Sequence, residues 1–304
     1  MKKDNGSGSA DFQIKLLANE HCKTGENPLW DAERECVYWT DIPNGKLFRY
    51  DIQSARHEQI YSGQPVGGFT LQADGNLLLF RVSDIAELPL PRGGEARTII
   101  EYSDETMERF NDVSADPEGR VFAGTVGKGR ENLHGGLYRV DLDGTITRMK
   151  ICGESDCANG SDFSPDLRWF YWTDSTKKRI FRFDYNRATG DLSNRILIYQ
   201  ASENEGIPDG LTIDADGNLW SARFDGSAIF KHAPDGSVLD KIALPVRAIS
   251  CACFGGKNLD AMFVTTAEGK SGSESEEGAL FQITQASNLF RGKPEFCSRI
   301  CRQR

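Results

Sequence analysis

Glu26, Asn111, Asn159 and Asp209 each stand five residues before an Asp or Ser that opens a turn: Asp31, Asp116, Ser164 and Asp214. Two carboxylates and two amides offer oxygen ligands, which suit hard divalent cations such as Ca²⁺, Mg²⁺ or Mn²⁺, and two carboxylates would balance the ion's charge. Ligand type alone leaves Zn²⁺ and Fe²⁺ open. Arg109 lies two residues before Asn111, so on a strand both side chains face the same way. A guanidinium fixed beside a metal could hold a polar substrate or a developing oxyanion, although a surface or salt-bridged arginine would look the same in sequence. Asp209 has a rival reading, because "IPDGLT" contains the turn-forming Pro-Asp-Gly that recurs at Pro234-Asp235-Gly236. The shared phase favours the ligand. Four donors converging by chance at equivalent positions is far less probable than one polar residue there.

The phase comes from a repeat. Six segments, "DAERECVYWTD" from Asp31, "QADGNLLLF" from Gln72, "DPEGRVFAGT" from Asp116, "SPDLRWFYWTD" from Ser164, "DADGNLWSA" from Asp214 and "FGGKNLDAMFVTT" from Phe254, each read as a turn followed by a strand. Most continue into a second turn and a third strand, as in "IPNGKLFRYD" and "STKKRIFRFD". Each unit therefore supplies about four short strands at a period of about 45 residues, the pattern of a β-propeller whose neighbouring blades bury each other's faces. The expectation is an all-β, six-bladed propeller with four-stranded antiparallel blades, one domain over residues 11–304 after a disordered lead at 1–10. In that fold the innermost strand of each blade lines a central channel, and the five-residue step places the four donors at one end of it. The other two units put Gly67 and Ile249 at that phase. No segment shows sustained helical periodicity, and "GKSGSESEEG" at 269–278 reads as an exposed loop.

Composition narrows the partners. A formal net charge of -9 disfavours nucleic acid and anionic lipid, and the run Lys177-Lys178-Arg179 reads as a solvated hairpin tip. No apolar run approaches a membrane span, and the N-terminus lacks the apolar middle of a secretory signal. Eight cysteines without such a signal fit free thiols in a cytoplasmic protein better than a disulfide framework. Cys152, Cys157, Cys297 and Cys301 lack histidine neighbours at zinc-site spacing. "DLDGTIT" and "DADGNLW" open like EF-hand loops but lack the closing glutamate, so they are hairpin turns. There is no Gly-x-Ser-x-Gly elbow, and His21, His57, His134 and His232 are scattered.

The strings "GENPLWD", "RFNDVSADPEGRVFAGT", "ANGSDFSPD" and "GIPDGLTIDADGNLW" resemble the gluconolactonase family that includes regucalcin, in order through nearly the whole chain. The resemblance implies a six-bladed propeller with one divalent metal in its channel that hydrolyses sugar lactones. Carried over residue by residue, it implies metal ligation by Glu26, Asn159 and Asp209; the shared phase adds Asn111, directly or through water. It implies substrate binding by Arg109 and Asn111, and Asp209 as general acid or base. Ca²⁺ is the expected bound ion, with Zn²⁺, Mn²⁺, Mg²⁺ or Fe²⁺ open for activity. One departure stands out: "GTVGKGRENLHGG" puts Lys128 and Gly129 where close relatives of regucalcin carry a glutamate, and Glu131 from the same loop is the candidate to replace it. Asp112 is expected to face away from the channel on a regular strand. A small-molecule lactone is the expected partner and a monomer or weak homodimer the expected state. Two alternatives stay open. One is a metal-dependent phosphotriesterase on the same fold; the other is a protein-binding propeller, suggested by "VYWTD" at 37–41 and "FYWTD" at 170–174.

Overall fold

A computed structural model describes residues 12–129, 135–269, 276–285 and 290–301. The expected lead at 1–10 and most of the expected loop at 269–278 lie outside the described residues. The strands form six four-stranded antiparallel sheets arranged as the blades of a propeller. The innermost strands, from blade 1 to blade 6, are Gly25–Asp31, Val66–Leu71, Met107–Ala115, Ala158–Phe163, Ile207–Ile213 and Ile249–Gly255. Helix is confined to the short turns Lys150–Cys152 and Glu203–Glu205 among the described residues.

Turn chemistry starts each blade. The Oδ1 atoms of Asp31, Asp116 and Asp214 accept backbone N–H groups two to four residues on, which closes the turn after the inner strand. These turns sit at one end of the channel. The donor phase, five residues earlier, therefore lies roughly 16 Å away toward the other end.

Apolar faces decide how the blades pack. The six hydrophobic clusters fall one per blade boundary, for example Leu78, Phe80, Ile85 and Ile100 of blade 2 against Phe110, Val113 and Val121 of blade 3. Burial of such side chains contributes roughly 1.5–3 kcal/mol each. Trp39 and Trp172, the tryptophans of the two "YWTD" strings, are fully buried in these clusters, so that motif serves packing here. Around the channel the inner strands approach backbone to backbone. A Cβ on Gly67 would lie 1.9 Å from the Phe110 carbonyl oxygen, and one on Gly160 would lie 2.0 Å from the Leu211 nitrogen. The lack of a donor in blade 2 follows: no side chain fits at position 67.

Two features of the ring were not legible as repeats. The sixth unit supplies only three strands, and Phe12–Asn19 completes its blade by pairing antiparallel with Ala279–Gln285. The segment 290–301 then crosses the turn end of the channel. It bonds to Ala215 and Leu259, to Leu71 and Ala73, and to Gly119 and Leu142, which span blades 5, 6, 2 and 3. From this segment Lys293 reaches Asp162 at 2.6 Å.

A buried pair in blade 5 makes stability depend on pH. His232 has no exposed surface; Nδ1 donates to the Gly236 carbonyl at 3.0 Å and Nε2 accepts from Arg223 at 2.9 Å. The Arg223 guanidinium packs over the rings of Tyr199 and Phe230 at 5.0 and 4.6 Å. Burial first, then the Arg223 charge, push the imidazole pKa down to about 4. The unfolded chain binds this proton below about pH 6.5. Stability is therefore complete above that value and is lost as pH falls toward 4, at about 1.4 kcal/mol per pH unit from this group. Urea unfolding across that range should weaken more steeply for the natural chain than for His232→Gln; equal slopes would remove His232 as the cause.

Candidate active site

Each donor sits at a break in strand register. Asn111 and Asp112 together face one residue of the neighbouring strand, as do Asn159 with Gly160 and Asp209 with Gly210, and Glu26 directly precedes the same kind of bulge at Asn27-Pro28. A bulge kinks the strand and re-aims its side chains, which is why such sites recur beside active centres. In blade 1 the bulge is held by Asn27, at φ 49°, whose Oδ1 accepts from the Phe69 N–H of blade 2 at 2.5 Å.

Hydrogen bonds then tie three blades together. Arg109 Nη1 donates to Asn111 Oδ1 at 2.5 Å, and Asn111 Nδ2 donates to Asn159 Oδ1 at 2.7 Å and to the Ala158 carbonyl at 3.0 Å. Asn159 Nδ2 donates to Ser175 Oγ at 2.9 Å, and Ser175 Oγ donates to the Pro208 carbonyl at 2.6 Å, next to Asp209. Glu26, Asn111, Asn159 and Asp209 are 4–6 % exposed. Oδ1 of Asp209 has no hydrogen-bond partner.

The electrostatics are those of an anionic pocket short of positive charge. Burial first, then the charges of Asp209 and Asp112, raise the Glu26 pKa well above the usual carboxylate range. Burial and Asp112 raise Asp209 likewise, against the opposing pull of Arg109 and Asn159. Burial also lowers the Arg109 pKa. Below these groups Asp112 is pushed up to about 7, by burial first and further by Glu295 and Asp162.

Asp112 corrects the sequence reading. Alternation was expected to turn it away from the channel, yet it is buried and its charge acts on both Glu26 and Asp209. The bulge is the reason. A signal did exist: Phe110 and Val113, three residues apart, belong to one apolar cluster, a spacing that regular alternation forbids. Cys157 is a second residue that sequence reasoning did not place. Its Sγ lies 3.5 Å from Asn159 Nδ2 and 3.9 Å from Asn111 Nδ2. Ile249, at the donor phase of blade 6, is buried and apolar. Glu131 and His134 lie outside the described residues, while Lys128 and Gly129 are exposed.

The residues fit a divalent cation. Two buried carboxylates whose pKa values are both raised, Glu26 by burial and by Asp209, and Asp209 by burial and by Asp112, and one carboxylate oxygen without a partner form a site that a cation would complete. Among the described residues no group of three or more His, Cys, Asp or Glu is placed to hold a metal. Here two carboxylates are complemented by the amides of Asn159 and Asn111. A separate cavity of about 550 Å³ opens at the turn end of the channel, between Trp30, Leu71, Phe254 and the segment 294–297.

Residues 24–268 match the family described as SMP-30/Gluconolactonase/LRE-like region. The chain is 35% identical over 300 residues to pentonolactonase XacC of Haloferax volcanii, a match that covers 94% of this chain and 98% of that one. It is 32% identical over 284 residues to regucalcin of Homo sapiens, covering 90% of this chain and 94% of that one. In structure it is similar to a calcium-binding protein, regucalcin, from Agrobacterium tumefaciens, with a TM-score of 0.87 at 22% identity over 95% of this chain and 98% of that one.

Proposed function

The chain belongs to the SMP-30/gluconolactonase/LRE-like family, and from that membership we propose that it opens sugar lactones to aldonic acids in the propeller channel with one bound divalent cation. The relative named a pentonolactonase supports the lactone class of substrate. The observation that carries the site assignment is the buried Asp209 carboxylate, whose Oδ1 has no partner and whose charge acts on the buried Glu26 of blade 1. Glu26, Asn159 and Asp209 would hold the ion, with Asn111 directly or through water. The ion would supply Lewis-acid polarisation of the lactone carbonyl and acidify water.

The chain's own groups do the rest. Asp209 takes a proton from the attacking water as the new carbon–oxygen bond forms, and returns it to the ring oxygen as the old ester bond breaks. Arg109 donates to the substrate and is aimed by its bond to Asn111. Asn111 fixes both Arg109 and Asn159, so substrate and cation sites share one hydrogen-bonded chain. The eight free thiols support a reducing compartment such as the cytoplasm. No helix among the described residues is long and apolar enough to cross a membrane.

The direct test is a panel of aldonolactones and phosphotriesters offered to metal-stripped protein with Ca²⁺, Mg²⁺, Mn²⁺ and Zn²⁺ added back. Turnover of lactones that returns with a metal is the expected result. Turnover of phosphotriesters alone, or of nothing with any metal, would overturn the proposal. Arg109→Ala should raise KM by about tenfold while kcat changes less than about threefold, because a positioning guanidinium binds ground state and transition state alike. A matched fall in kcat and kcat/KM would assign Arg109 to the transition state instead.

A further inference from the structure

We infer that Ser175 is a positioning residue of the channel site: its hydroxyl fixes which end of the Asn159 amide turns toward Asn111, and ties that amide to the strand that carries Asp209. The inference rests on the channel site proposed above and gives a role to a side chain that reading does not use. An amide has two unlike ends, and its orientation follows from neighbours that can only donate or only accept. Ser175 supplies one such constraint. Its Oγ lies 2.6 Å from the Pro208 carbonyl oxygen, which cannot donate, so the hydroxyl hydrogen is committed there. Toward Asn159 the same Oγ can then only accept, and Asn159 Nδ2 donates to it at 2.9 Å. At the far end of the chain the Arg109 guanidinium, which only donates, meets Asn111 Oδ1, while Asn111 Nδ2 meets the Ala158 carbonyl, which only accepts. Both amides are thereby set. Of the two lone pairs on Asn159 Oδ1, one takes an Asn111 Nδ2 hydrogen and the other is left for a cation.

The repeat itself offers a comparison. Ile42 follows "VYWTD" in blade 1 as Ser175 follows "FYWTD" in blade 4, and the backbone around the two is bonded alike. The Ile42 N–H donates to the Thr24 carbonyl and the Ser175 N–H to the Cys157 carbonyl, two residues before Glu26 and Asn159 respectively. Gly45 and Lys178 then close the same turn by donating to the carbonyls of Ile42 and Ser175. Both side chains are buried. The difference between them matches the donor that each blade carries: a carboxylate has two equivalent oxygens and needs nothing to orient it, whereas an amide does. An apolar residue therefore suffices in the blade of Glu26, and a hydroxyl stands in the blade of Asn159. Burying that hydroxyl carries a desolvation cost, which its two hydrogen bonds offset.

The experiment compares Ser175→Thr, which keeps the hydroxyl, with Ser175→Val, which has the same shape without it, and with Ser175→Ala. Full-length, metal-stripped protein is titrated with CaCl₂ and, separately, MnCl₂ by calorimetry, beside kcat and KM at saturating metal for the lactone turned over fastest in the panel above. Ser175→Val and Ser175→Ala should weaken ion affinity by about tenfold and lower kcat by about tenfold, with KM changed by less than about threefold. Ser175→Thr should stay within about threefold of the natural chain in each quantity. In an Asn159→Ala background the affinity loss caused by Ser175→Ala should disappear, because Ser175 acts on the ion only through Asn159. If Ser175→Thr or Ser175→Val does not fold, Ser175→Ala with and without Asn159→Ala decides the matter. Natural affinity and kcat in Ser175→Ala, equal losses in the Thr and Val variants, or a loss that persists in full beside Asn159→Ala overturns the inference and leaves the channel site standing. A natural chain that binds neither ion and opens no lactone removes the channel site and this inference with it.

Discussion

Asp209→Asn should lower lactone turnover by about 10²-fold or more while the cation stays bound. The amide keeps an oxygen for the ion but cannot take a proton from water. The local geometry makes this substitution informative, because neighbouring backbone holds the side chain in place. A Cβ on Gly210 would lie 2.4 Å from Cys251 Sγ, and the Pro208 carbonyl is tied to Ser175. The carboxylate Oδ1 meets no protein donor, so its loss as a base is not compensated by a rearranged hydrogen bond. Asp209→Ala should abolish both metal binding and turnover. The measurement is hydrolysis by Asp209→Asn at saturating metal, with metal content determined on the same sample. Turnover near that of the unaltered chain, at full occupancy, would exclude Asp209 as the base.

Glu26→Gln separates binding from chemistry. Glu26 is buried, its carboxylate is destabilised by burial and by Asp209, and Arg109 offers only partial compensation. A bound dication offsets this repulsion, so removing one of two carboxylates should weaken metal affinity by about tenfold or more. Turnover should fall at limiting metal and recover as metal is raised, because Glu26 has no proton-transfer role. Calorimetric titration beside kcat at several metal concentrations checks this. A kcat that stays depressed at saturating metal would give Glu26 a direct part in the reaction.

Much of this architecture could be read along the chain. Asp31, Asp116 and Asp214 fold their turns through their own carboxylates, so the start of a blade is local chemistry. The donor phase follows from those turns by counting, and it picks out Glu26, Asn111, Asn159 and Asp209 from local strings alone. Asp112 was misplaced because a bulge depends on two residues of one strand facing one residue of another, Gly124, which no local string announces. The closing strand Phe12–Asn19 was missed for a similar reason. Its partner Ala279–Gln285 lies at the other end of the chain, and only ring closure brings them together.

Blade number, turn positions and the phase at which oxygen-bearing side chains recur were determined by sequence alone, since each depends on alternation and turn chemistry over a few residues. Tertiary structure decided which of those residues meet. Gly67 and Gly160 let inner strands touch backbone to backbone, which narrows the channel until donors from different blades come within hydrogen-bond reach. It also decided that Cys157 borders the donors and that Lys293, from the far end of the chain, neutralises Asp162. These are contacts between residues far apart in sequence. Their geometry is set by how six blades close on one another, a condition on the whole ring that no one repeat carries.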